Sequence, residues 1–153
     1  MAHLLYVDLS AKAEQWTKAS AVAASNGHSR TILVTAKSKT RIRQTIRDLY
    51  GAKFEQYRLL AALIYLVVKP DLPNLNYIVI DKDYAGPAAE SQIKNFLLTL
   101  LRMDKPDATA GMIHFQAVKG KTADKLAKRV FDGDIPPERI VTMDELETLI
   151  KQK

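Results

Sequence analysis

Residues 3–9, HLLYVDL, carry apolar side chains on both faces of a strand: Leu5, Val7 and Leu9 on one, Leu4 and Tyr6 on the other, with Asp8 continuing the second row. Side chains alternate with period two along a strand, so apolar residues on both faces demand a hydrophobic layer above and below it. Such a strand belongs in the middle of a sheet sandwiched by helices, which points to an α/β fold. Residues 76–81, NYIVID, read as a second buried strand of the same kind. The chain has 153 residues and shows no internal repeat, linker or low-complexity tract. That length fits one domain, 1–153, with a core large enough to need no covalent staples.

Between these two strands the pattern changes twice. The segments 20–25 and 31–36 flank Ser25-Asn26-Gly27-His28-Ser29, and Asn-Gly tolerates the positive φ of a tight hairpin. An antiparallel pair is expected there, although the alanine-rich SAVAA has weak strand composition and is open to fraying or helix. From 39 to 69 apolar residues recur at helical spacing, among them Ile42, Ile46, Tyr50, Phe54, Tyr57, Ala61, Ile64 and Val68. The stripe stays in phase across Gly51, so the expectation is one long helix, bent at that glycine and ended by Pro70 and Pro73. A second helix is expected over 88–103, opened by Gly86-Pro87, then a strand over 112–118 and a helix from Thr122 to Phe131. A short strand at Ile140-Val141 and a final helix follow, with Thr142 and Glu145 spaced for a capping box. The order is β, β, β, α, β, α, β, α, then a strand-helix addition.

Composition limits the chemistry. There is no cysteine, hence no disulfide framework, thiolate nucleophile or Cys-based zinc site. His3, His28 and His114 are too scattered for a histidine metal site, so a catalytic metal would be a hard ion on carboxylates. The chain carries 23 Lys+Arg against 17 Asp+Glu, a net charge of +6, which suits an anionic partner, nucleic acid first. No run of about 18 apolar residues is present to span a membrane. With no export leader at the start and no cysteine, the expected location is cytoplasmic.

Two acids stand where buried strands end. Asp8 closes LLYVD and Asp81 closes YIVID, and the functional crevice of an α/β sheet lies beyond its strand C-termini. If the two strands are parallel neighbours, the carboxylates lie side by side, and a divalent cation is the usual compensation for such a pair. The plainer alternative is two independent turn aspartates. Asp124 falls in the first turn of the helix from Thr122, where a carboxylate gains from the helix dipole whatever its role. Lys39, Arg43 and Arg47 form a basic row on the long helix, a phosphate track or simply a solvated face. Lys119 and Lys121 flank a glycine at a strand-to-helix turn, a further phosphate contact. Gly120-Lys121-Thr122 is not a P-loop, because Phe115 stands where the first glycine is needed. His114, between Ile113 and Phe115, reads as a structural histidine.

Taken together, the element order, Asp8 on the first strand, the Asn26-Gly27 hairpin, Asp81 ending the fourth strand and the segment IHFQAVKGKTADKLAK resemble the ribonuclease H-like nuclease superfamily over about residues 3–131. The resemblance implies a mixed sheet, three antiparallel strands followed by alternating helix and parallel strand, with helices on both faces and a C-terminal strand-helix addition. It further implies a metal-dependent nuclease that hydrolyses DNA or RNA phosphodiesters with two Mg²⁺ or Mn²⁺ ions. Asp8 would bridge the ions, Asp81 would share one, and Asp124 would hold the ion that activates water. Two ions about 3.5–4 Å apart clamp the attacking and leaving oxygens. The family often has a fourth acid, a glutamate before a small apolar run; here Arg58 precedes Leu59-Leu60-Ala61-Ala62. Glu55, one turn earlier, is the substitute ligand, or else a solvated surface residue, since it projects opposite the apolar stripe as Asp48 does; Asp83 and Glu90 are the alternatives. Without the glutamate, a catalytically silent module of the same fold, binding nucleic acid or a protein, is the alternative. A doubly wound ligand-binding domain is a third reading, disfavoured by the hairpin.

Overall fold

A computed structural model describes residues 3–82, 87–118 and 122–152. β1 (Leu4–Ser10) pairs in parallel with β4 (Tyr77–Asp81) on one side and antiparallel with β2 (Ser20–Ser25) on the other. β3 (Ser29–Val34) and β5 (Ile113–Gln116) extend the sheet, and the two-residue β6 (Arg139–Ile140) adds to β3. The resulting order is β5-β4-β1-β2-β3-β6, and among the described strands β2 alone runs against the rest. β1 is therefore central, as its two apolar faces require. Leu5 and Val7 join Ile78 and Ile80 in the larger core, while Leu4 and Tyr6 pack with Val79 and Ala23 on the opposite face.

The hairpin forms at the expected place with a three-residue turn. Ser25 pairs with Ser29, Asn26 N–H donates to the His28 carbonyl, and only Gly27 takes positive φ, +86°. Asn26 Nδ2 also donates to the Leu4 carbonyl at 3.1 Å, tying the turn to β1. The weak strand composition of SAVAA is overridden by position: all six residues of β2 are buried, with a ladder on each side. Small side chains suit a strand covered closely on both faces. Ala23 packs on Ala123 and Ala127 of α4 (Thr122–Phe131), and Val22 and Ala24 face the larger core.

The single long helix does not exist. The chain forms α1 (Ala36–Tyr50) and α2 (Glu55–Val68), separated by four residues with two backbone reversals. Gly51 ends α1 at φ 84°, ψ −179°, its N–H donating to the Arg47 carbonyl, and Phe54 opens α2 at φ 63°. A helical stripe stays in phase across a break only by coincidence of length, and the conformation of Gly51 is open to glycine alone at little cost. The break lets α2 fold back against α1 and run through the molecule between the sheet, α3 (Pro87–Asp104) and α5 (Met143–Ile150). From Leu59 to Val68 every residue of α2 is buried, the mark of a helix surrounded on all sides.

Pro70 and Pro73 terminate it in a 3₁₀ segment, Lys69–Asn74. The capping box is present, with Thr142 Oγ1 accepting from Glu145 N–H and the Glu145 carboxylate accepting from Thr142 N–H. Among the described residues no helix is long and apolar enough to cross a membrane.

Candidate acidic site at the strand ends

The β1–β4 register pairs Val7 with Ile80, so the next residues along the two parallel strands are Asp8 and Asp81. The two strands are parallel neighbours, as the expectation required, but only Asp81 ends its strand: β1 runs on to Ser10 because Leu9 and Ser10 still pair with Val22 and Ala21 of β2. Both aspartates are nearly closed to solvent, Asp8 at 3% and Asp81 at 8% exposure. Two backbone amides orient them. Leu9 N–H donates to Asp8 Oδ1 at 2.8 Å, and Val118 N–H donates to Asp81 Oδ1 at 2.7 Å. The second bond closes the end of β5 over β4, together with Lys82 N–H on the Gln116 carbonyl. Asp8, Asp81 and Lys12, together with the apolar Val7, Leu9, Leu60 and Ile80, line one small cavity of about 10 Å³, near the least volume that one water molecule requires.

Asp124 lies half-buried in the first turn of α4, which crosses β1 and β2. Among the described residues, however, no three of Asp, Glu, His or Cys gather into a group able to hold a metal, so Asp124 does not complete a trio with Asp8 and Asp81. Lys119, Lys121 and Asp83 lie outside the described residues. Glu90 is half-buried in α3, and Asp48 is exposed, accepting from Gln44 Nε2. His114, on β5, sits beside the Tyr77 ring with centroids 5.6 Å apart.

Glu55 departs from the sequence expectation in a different way. It is 5% exposed and therefore no solvated surface residue. Oε1 accepts from Arg43 Nε at 2.7 Å and Arg47 Nη2 at 3.2 Å, and Oε2 accepts from Arg47 Nε at 2.8 Å. Burial pushes the Glu55 carboxyl up, but the hydrogen bonds from Arg47 and Arg43 and their charges outweigh it and hold the group below its ordinary value. Both oxygens thus serve to join α1 to α2 instead of facing a cation.

The basic row on α1 is also redistributed. Lys39 is fully buried, with Nζ donating to the carbonyls of Lys12, Gln15 and Lys18 and to Ser20 Oγ at 2.8–3.2 Å. Burial pushes its ammonium down to about 8, against an opposing pull from Glu14. Lys39 is a brace for the loop between β1 and β2 and not a phosphate contact. Arg43 and Arg47 keep partly exposed side chains while holding Glu55, and the Arg43 guanidinium also lies 4.7 Å from the Trp16 ring centroid. One signal did mark Lys39: it stands at i, with Ile42 at i+3 and Ile46 at i+7, on the buried stripe and not beside it.

Comparison with protein-family models, with curated proteins and with solved structures finds no match to the chain.

Proposed function

We propose that the Asp8–Asp81 edge holds a hard divalent cation, Mg²⁺ or Mn²⁺, and that the protein uses it to hydrolyse phosphodiester bonds of DNA or RNA. The observation that carries this reading is the pair of shielded carboxylates where the parallel β1–β4 ladder ends, Asp81 closing β4 and Asp8 two residues short of the end of β1, both lining one cavity of about 10 Å³. Like charges so placed favour a cation between them, and a divalent ion would add to the positive charge that Lys12 brings to the same pocket. The donor set fits: Mg²⁺ is commonly held by one or two carboxylates, with water and substrate phosphate completing its shell. Leu9 N–H and Val118 N–H each hold one carboxylate oxygen, Oδ1 of Asp8 and Oδ1 of Asp81. The bound ion would polarise the phosphoryl oxygens and lower the pKa of a coordinated water. Asp124, the third ligand that the resemblance implies, stands in the first turn of the helix lying over β1 and β2 and apart from the pair, so this reading rests on two carboxylates. Three strands in antiparallel succession, then helix, parallel strand, helix, strand and helix, agree with the ribonuclease H-like resemblance, with two helices, α1 and α2, where that pattern has one. The net charge of +6 suits a nucleic-acid partner, and a cysteine-free chain acting on nucleic acid suits the cytoplasm.

A second reading is favoured by Glu55, whose oxygens are occupied by two arginines, and by the lack of an acid trio among the described residues. There the same fold binds nucleic acid or a protein without cutting. Calorimetric titration of Mn²⁺ and Mg²⁺ into wild type, Asp8→Asn and Asp81→Asn, beside cleavage assays on labelled DNA and RNA, separates the two. The nuclease reading expects saturable binding lost in either variant. It also expects cleavage reduced by more than about 100-fold, since even outer-sphere partners cost about 10–100-fold. Nucleic-acid binding that needs no cation and yields no product would establish the silent module. No divalent binding, with or without nucleic acid, would overturn the nuclease.

A further inference from the structure

A second cavity lies among the helices and shares no residue with the Asp8–Asp81 pocket. The C-terminal end of α1, α2, α3 and the end of α5 line an open cleft of about 320 Å³, at the small end of the roughly 300–1,000 Å³ typical of small-molecule sites. Phe96, Leu100, Leu149 and Ile150 give it apolar walls. Arg58, from the first turns of α2, is the charged group that lines it.

The setting of Arg58 is unusual for this molecule. Its guanidinium carbon stands 3.7 Å from the Tyr50 ring centroid and 4.2 Å from that of Phe96, so aromatic rings engage it from two sides. Nε is closed off from solvent, with no hydrogen-bond acceptor among the described residues. The Tyr50 hydroxyl is already committed, donating to the Ile150 carbonyl at 2.6 Å. Arg58 makes no ion pair among the described residues, whereas other shielded charges do find partners of opposite polarity. Glu55 has two arginines, Lys39 has four oxygens, and Arg30 reaches Asp71 and Glu138. Burial pushes the Arg58 guanidinium below its ordinary value, as expected of a cation short of a counter-charge.

We propose that this cavity binds a small carboxylate with an apolar aryl or alkyl body, anchored through its carboxylate to Arg58. With aromatic rings against the guanidinium and Nε closed off, the pair of Nη groups is what remains for a ligand, and two such N–H donors match the two oxygens of a carboxylate. The hydrocarbon body takes the space between Phe96, Leu100 and Leu149. Inorganic phosphate has the charge but no apolar part to leave water, and the apolar walls give it little in return for its hydration.

The test uses phenylbutyrate as probe, with phenylbutanol and inorganic phosphate as controls, followed by calorimetry and by the ¹⁵N resonance of Arg58 Nε. Phenylbutyrate should bind saturably and move that resonance. Phenylbutanol and phosphate should each bind at least about tenfold more weakly, the value of one charge-assisted hydrogen bond. Arg58→Gln should weaken phenylbutyrate by a similar factor. Equal binding of the alcohol, tighter binding of phosphate, or affinity retained in Arg58→Gln would each overturn the proposal. So would an unmoved Arg58 resonance at about 10 mM phenylbutyrate, a measurement on wild type that does not depend on the variant folding.

Discussion

Lys39 shows how one buried charge organises a neighbourhood. Its ammonium gathers three carbonyls and a hydroxyl from the loop between β1 and β2, and Lys12, in that loop, lines the acidic pocket. Replacement by methionine keeps the volume and removes the donor. Lys39→Met should cost about 2–4 kcal/mol, the scale for breaking a buried charge network, measured as a shift in urea midpoint. The pH dependence has a definite sign. Burial sets the folded value at about 8, below the unfolded 10.5, so between these the unfolded chain binds more protons and stability rises with pH. This proton-linked part is fully present above about 10.5 and is lost as pH falls through about 8, apart from the cost of stripping the carbonyls of their donor. Wild type should therefore gain on Lys39→Met as pH rises from 8 to 10.5, and a constant gap would refute the assignment. At this scale, the sequence marks Asp8 and Asp81 because each ends an apolar run whose alternation fixes its face. The stripe of Ile42 and Ile46 marks Lys39 as inward-facing, but neither it nor Glu55 reveals its partners, because charge at helical spacing looks alike whether solvated or paired.

At the scale of elements, the turn between α1 and α2 decides most. A Cβ added to Gly51, at φ 84°, ψ −179°, would meet no atom within 4 Å, so substitution there carries a purely conformational cost. Gly51→Ala should destabilise by about 1–3 kcal/mol without altering the core, as read from thermal unfolding. Glu55 ties the helices on either side of that turn. Glu55→Gln should lower stability by about 1–2 kcal/mol at neutral pH, discounted because both arginines remain partly solvated. The Glu55 carboxyl is held below its ordinary 4.5, so its contribution is present above that value and fades as pH falls through the lower folded one. The variant should consequently show a shallower acid limb. Periodicity could not reveal this break, since it reports which residues face inward and not the backbone angle at Phe54. The capping box at Thr142 was legible because its two hydrogen bonds span only three residues.

The whole molecule follows from a central β1 and a hairpin that turns its neighbour around. Both are local signals, and the strand order grows from them. What the chain alone could not disclose is how far α4 brings Asp124 toward the paired acids, because that depends on Ala123 and Ala127 seating against Ala23 and Val79. Nor could it show α3 and α5 meeting around Arg58, residues distant in sequence. One consequence concerns α2. Ten successive residues, Leu59 to Val68, are buried among the sheet and three helices, with Tyr65 bonded through its hydroxyl to Asp104. No partial opening frees this helix while its surroundings stay folded. In deuterium exchange its mid-helix amides should be among the slowest and share one opening free energy, equal to that of global unfolding. The helix thereby serves as an internal clock for rare excursions of the entire chain.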